Sequence, residues 1–141
     1  MARFALDELG KHGNEITIIR RTVPGIKDLA VECKRLLEFE KCDVCLALGM
    51  VGGAPIDAQC AHEASLGIMW AKLMANKHIV EAFVHEREAG TPKELLEICE
   101  NRARKHAQNA VMLARQSYEA MQKNAGRGIR QGKPDAGPIQ L

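Results

Sequence analysis

The run Asp43–Leu48 (DVCLAL) constrains the fold more than any other stretch, because a short segment apolar at nearly every position must be covered on both faces. Helices have to supply that cover, and the flanking sequence provides them. Ahead of the run, Leu29, Val31, Cys33, Leu36 and Leu37 recur at mostly helical spacing from Asp28, read as an N-cap, to Glu40. Behind it, the loop Gly49–Asp57 (GMVGGAPID) leads into a helix from about Cys60 to Ala75. That helix is apolar almost all round, so a central position is expected for it.

The same alternation extends in both directions. Glu15–Arg20 (EITIIR) is rich in β-branched residues and reads as a strand, and His78–Val84 (HIVEAFV) reads as another, with Glu81 unexpectedly inside it. Ala2–His12 reads as a short opening helix. A long helix is expected from Lys93 to Lys123, with Leu95, Cys99, Ala103, Ala107, Ala110 and Ala114 as its buried stripe and Glu100 and Arg104 pairing on its wet side. Helices alternating with strands predict an α/β fold, a doubly wound three-layer sandwich with a mainly parallel sheet. Three strands fall short of the roughly 4 to 6 of a usual sheet, so the pattern reads as one strand short at its start. The domain spans 1–125. The tail 126–141 (GRGIRQGKPDAGPIQL) is Gly- and Pro-rich and expected to be extended or partly disordered.

Composition narrows the function by exclusion. With 46% hydrophobic and 27% charged residues the chain is expected to fold as an ordinary globular domain. Its 20 basic and 18 acidic residues are mixed along the sequence, so no extended positive field favours nucleic acid. No apolar stretch approaches the roughly 20 residues of a membrane span, and the start MARFALDELGKHG carries acidic residues, so a cytoplasmic location is expected. Five cysteines make an odd count, and Cys33, Cys45, Cys60 and Cys99 lie within apolar patterns, which suits a reducing compartment. Cys42 and Cys45 form a CxxC without the second ligand pair that zinc requires, and no metal site is expected. In open α/β sheets ligands bind beyond the carboxyl ends of the strands, which directs attention to the turns TVPGIKD, GMVGGAPID and HEREAG.

Four segments in a fixed order carry a resemblance: RRTVPGIKDLAVECKRL (20–36), CDVCLALGM (42–50), CAHEASLGIMWAKLMANKHIVEAFVHEREA (60–89) and GRGIRQGKPDAGP (126–138). The chain resembles archaeal-type riboflavin synthase, a lumazine synthase-like family, over almost its whole length. The resemblance implies that two molecules of 6,7-dimethyl-8-ribityllumazine exchange a four-carbon unit, giving riboflavin and 5-amino-6-ribitylaminouracil. It implies no redox cofactor, leaves magnesium open, and implies a homopentamer with active sites between neighbouring subunits. Members of the family begin with a strand and a Thr-Phe-Ala-Arg type motif before the first helix. This chain starts about where that motif ends, in keeping with the strand count, so a start upstream of Met1 is expected.

The site residues follow from the turns and the resemblance together. Pro24, Gly25, Ile26, Lys27 and Asp28 correspond to the loop that holds the ribityl chain in the lumazine synthase fold, where backbone NH groups suit polyol oxygens. A plain turn with Asp28 as cap satisfies the same residues. Gly49 and Met50 are expected against a flat heterocycle, since glycine admits close approach. His62 and Glu63 are placed in the first turn of the helix that follows, where ionisable groups are readily perturbed. His85 and Glu86 face the same rim after the third strand, and His62, His85 and Glu86 compete for the catalytic role. Glu81 needs a partner, from a neighbouring subunit or the ligand. The methyl on C7 of the lumazine is acidic, so a modest general base suffices and orientation is the harder task.

Two rivals remain at this level. Lumazine synthase would need an anion site, for which Arg104 and Lys105 are candidates, and by family pattern a histidine where this chain has Asp57. A non-catalytic flavin-binding or assembly subunit would share the fold without the chemistry.

Overall fold

Val44–Val51 forms strand β1, and its alternate side chains enter two separate cores. The computed structural model describes residues 1–119, Gln122 and the backbone of 129–130 and 133–134. Strand β2 (His78–His85) runs parallel to β1, with Val44 opposite His78 and Val51 opposite His85. On one face lie helices α2 (Leu29–Glu38) and α3 (Pro55–Ala75), which bring Cys33, Leu37, Ala61, Ala64 and Ile68 against Cys45, Ala47, Ile79 and Phe83. On the other lie α1 (Ala2–Gly10) and α4 (Pro92–Ala114), where Phe4, Ala5, Ala103 and Ala107 pack with Leu46 and Leu48. The result is the expected helix, parallel sheet, helix sandwich.

Small residues set how near the layers come. Ala103 and Ala107 are fully buried in α4, letting that helix lie close on the sheet. A Cβ on Gly67 of α3 would sit 3.2 Å from the Cβ of Ala30 in α2, so those helices are also in close contact. Leu37, Ile68, Ile79 and Val84 are the largest fully buried side chains, each worth about 1.5–3 kcal/mol relative to exposure. Thr91 caps α4, its hydroxyl accepting from the Glu94 N–H at 3.2 Å, with Pro92 in the first turn. Lys77 donates to the carbonyls of Leu37 (3.3 Å) and Cys42 (2.8 Å), tying the end of α2 to the turn before β2.

Several boundaries differ from the sequence expectation. Glu15–Arg20 is not a strand: Glu15 closes a 3-10 turn, Ile16 is extended (φ −131°, ψ 145°), and the segment pairs with no strand among the described residues. β-branched residues favour extended backbone, but a strand also needs a neighbour to receive its N–H and C=O groups. β1 continues through Gly49 and Met50 to Val51 rather than ending at Leu48, and α3 starts at Pro55 rather than near Cys60. Pro55 is pre-set for a first helical turn, and Asp57 reaches back to accept from the Ala54 N–H at 3.0 Å. α4 stops at Ala114, with Gln116 at φ 50°, so the expected continuous helix to Lys123 is broken; positions 120, 121 and 123 of it lie outside the described residues. In the tail, Ile129–Arg130 and Lys133–Pro134 pair as short antiparallel strands, and its remainder is outside the described residues. α3 is not buried all round. Leu66, Met69, Trp70, Leu73 and Met74 lie on the surface of this chain.

The seam between α1 and α4 is closed by a buried carboxylate. Glu8 is 6% exposed and accepts from Lys11 (2.6 Å), Gln108 (2.7 Å) and Arg104 (3.4 Å), while Arg104 also holds Asp7 and Glu100 and lies 5.6 Å from the centre of the Phe4 ring. The expected Glu100–Arg104 pair is therefore part of a larger cluster. The bond from Lys11, then that from Gln108, lowers the Glu8 pKa from 4.5 to about 2. A carboxyl depressed by folding stabilises the native state above its unfolded pKa, and that contribution is lost as pH falls from about 4.5 towards 2. Glu8→Gln should therefore weaken the fall in melting temperature over this acid range, followed by circular dichroism. An identical acid dependence in the variant would remove Glu8 from the account.

Candidate active site

The carboxyl ends of β1 and β2 stop at one rim, and the turns after them touch. Gly53, in the turn after β1, would place a Cβ 3.3 Å from a carboxylate oxygen of Glu86, in the turn after β2. Gly49 lies under the rim in a narrow gap. A Cβ there would stand 2.8 Å from Phe83 Cδ1 and 3.0 Å from Ile26 Cδ1. This glycine joins the ribityl-loop candidate to β2, while Met50 beside it is largely exposed.

The loop Pro24–Asp28 forms a 3-10 turn over Ile26–Asp28. Asp28 accepts from the Gly25 N–H at 3.1 Å, so it caps backward onto this turn rather than forward onto α2. Lys27 forms an ion pair with Glu63 of α3, and Glu63 also accepts from Gln59 at 3.0 Å. The pair raises the Lys27 pKa and lowers that of Glu63, so both stay charged near neutrality. Because α3 begins at Pro55, His62 and Glu63 stand about two turns into the helix rather than in its first turn. His62 is exposed there and lines neither cavity along β2. Glu86 is exposed as well.

Glu81 and His85 belong to a second group. Glu81 accepts from the Ser65 hydroxyl of α3 at 2.9 Å through one of its two oxygens, a partner within this chain that the strand pattern alone does not reveal. His85 lines a cavity with Glu81, Phe83, Glu88, Arg102 and His106, and its buried Nδ1 has no hydrogen-bond partner. Arg102 organises the wall: it donates to the Phe83 carbonyl (2.6 Å) and to both oxygens of Glu88 (2.8 and 2.6 Å). Glu88 also accepts from the His85 N–H at 2.8 Å, so one ion pair pins the backbone on either side of Val84. The Arg102 bonds hold the Glu88 carboxyl down to about 2 despite partial burial. His106 donates from Nδ1 to the Arg102 carbonyl at 2.8 Å, and burial lowers its pKa.

Ser65, Glu88, Arg102 and His106 were not singled out from the sequence. Arg102 and His106 are four apart on α4, a spacing that puts two polar side chains on one helical face. The rival anion site fares differently: Arg104 is held by Asp7, Glu8 and Glu100 at the far seam. Among the described residues no group of three His, Cys, Asp or Glu stands close enough to hold a metal ion, and all five cysteines are free. Likewise no described helix is long and apolar enough to cross a membrane.

A two-faced parallel sheet with polar residues on the rim beyond its strands defines an open α/β protein, a class whose ligands sit beyond the carboxyl ends of the strands. Residues 1–117 match the family model described as 6,7-dimethyl-8-ribityllumazine synthase, and the chain belongs to that family. It is 54% identical over 139 residues to riboflavin synthase of Methanothermobacter thermautotrophicus, covering 99% of this chain and 90% of the relative. It is 45% identical to that of Archaeoglobus fulgidus, with the same coverage. It is 46% identical to that of Aeropyrum pernix, covering 97% and 93%.

Gly49→Ala should lower stability by about 1–3 kcal/mol in denaturant unfolding, because the Phe83 ring must shift to admit a methyl. An unchanged midpoint would show that the gap is looser than its geometry indicates.

Proposed function

We propose that this protein is a riboflavin synthase, converting two molecules of 6,7-dimethyl-8-ribityllumazine into riboflavin and 5-amino-6-ribitylaminouracil. The observation that carries the reading is the 45–54% identity, over nearly the whole chain, to archaeal proteins of that name. The reaction moves a four-carbon unit between two identical molecules with no net oxidation, so it calls for no redox cofactor. A base removes a proton from the C7 methyl of one lumazine, and the resulting carbanion attacks the other. His85 is the best-supported base, because it lines the cavity and its buried Nδ1 has no hydrogen-bond partner among the described residues. Glu86 stands beside it, and His62 is the exposed alternative. Pro24–Asp28, Gly49 and Met50, with Glu63 fixing Lys27, hold one substrate.

Alignment of two heterocycles is the larger contribution, since fixing reactants in place can supply roughly 7 to 11 kcal/mol. The proposed assembly is a homopentamer with sites between subunits, acting in the cytoplasm. Supporting it is the exposed stripe Leu66, Met69, Trp70, Leu73 and Met74, whose spacing gives one apolar face of α3. The reducing cytoplasm also suits five unpaired thiols.

Incubation with the dimethyl-ribityllumazine alone should yield riboflavin and the pyrimidine in equal amounts, followed by absorbance and chromatography. Absence of both products from a folded oligomer would refute the activity. A Trp70→Asp, Leu73→Asp variant should sediment as smaller species and lose more turnover than His62→Ala or His85→Ala. If the double variant His62→Ala, His85→Ala abolishes turnover while the assembly stays intact, proton transfer outweighs alignment.

A further inference from the structure

Three of the five thiols gather in one place. Cys33 of α2 and Cys45 of β1 belong to the core cluster between the helices and the sheet, and Cys42, half-buried, packs against its edge. The sequence pairs Cys42 with Cys45 by spacing, but in the fold Cys45 is hydrogen-bonded to Cys33. Its S–H reaches the Cys33 carbonyl at 3.5 Å, across a separation of 12 residues, and the Cys33 sulfur is a second partner. Among the described residues no group of three ligating side chains could hold a metal ion, so the three thiols do not form a metal site.

The pair is chemically asymmetric. The hydrogen bond from Cys45 lowers the pKa of the Cys33 thiol, while the same bond, together with burial, raises that of Cys45. The thiolate is the reactive form in disulfide exchange, so Cys33 is the nucleophile of the pair and Cys45 the thiol that resolves it. Both residues are nearly inaccessible, at 4% and 5% exposure. A bulky adduct has no room in so tightly packed a core, whereas a bond between the two sulfurs adds no atoms.

We propose that Cys33 and Cys45 are a redox-responsive pair that closes into a disulfide, stapling α2 to β1 when small-molecule disulfides accumulate. Local opening of α2 admits the oxidant. The Cys33 thiolate attacks one of its sulfurs and expels a first small thiolate. Cys45 then gives its proton to that thiolate, attacks the small-molecule disulfide now on Cys33 at the Cys33 sulfur and expels a second. Two protein thiols are oxidised and one small disulfide is reduced to two thiols, so the exchange balances and excess thiol reverses it. The staple lies behind the rim, because α2 continues from the loop Pro24–Asp28 and β1 ends at Gly49, Met50 and Val51. Its formation is independent of the riboflavin synthase reading.

The test incubates the assembled protein with oxidised glutathione at a series of ratios to the reduced form, blocks the remaining thiols by alkylation and maps the digest by mass spectrometry without reduction. The wild type and Cys42→Ser should both yield a cross-linked peptide joining Cys33 to Cys45, with no chain-to-chain band on a non-reducing gel and with both thiols restored by dithiothreitol. The bond closes a short loop in the unfolded chain, so it should raise the melting temperature by about 10 °C. Cys33→Ala and Cys45→Ala, checked for folding by circular dichroism before oxidation, should show no such rise. If either fails to fold, the peptide map of the wild type decides alone. A bridge between Cys42 and Cys45, glutathione retained on single cysteines, thiols that stay reduced at every ratio, or a lower melting temperature in the bridged protein would overturn the assignment.

Discussion

Burial of β1 from both sides is the constraint on which the rest of this molecule depends. Cys45, Ala47 and Val51 face α2 and α3, while Leu46 and Leu48 meet the α1 and α4 cluster. A strand with no wet face cannot lie at a surface, so the two helical layers follow from it. Pairing β2 to β1 in parallel brings both carboxyl ends to one rim and forces the connection to cross over through α3. The rim residues are held in place by that packing, with Gly49 at its tightest point.

The layered fold was legible because burial leaves a periodic mark on sequence, and Leu29 to Leu37 or the alanine series of α4 carry it plainly. Glu15–Arg20 shows where that mark misleads: composition records a preference for extended backbone and says nothing about whether a neighbouring strand is present. α3 misled in the opposite way. An apolar residue looks the same whether it meets this chain's core, as Ile68 does, or projects outward, as Trp70 does.

Of the candidate site, the turns were legible and the cavity was not. Gly25, Gly49 and Asp57 announce turns and close approaches by residue type. Arg102 and His106 read as ordinary polar residues on a helix, and only the spatial return of α4 to the edge of β2 sets them beside Glu88 and Glu81. Their meaning is tertiary. Glu81 was noticed because a charge inside a strand is conspicuous, but its partner Ser65 is a common residue on a different element.

The two-sided character of α3 makes folding and company one problem for this chain. Its inner row of Ala61, Ala64, Ile68 and Ala71 is satisfied as soon as the layers close, whereas its outer row stays wetted until another surface arrives. In the proposed assembly the last part of the hydrophobic gain of such a helix is governed by mass action, and dilution itself would act as a mild denaturant.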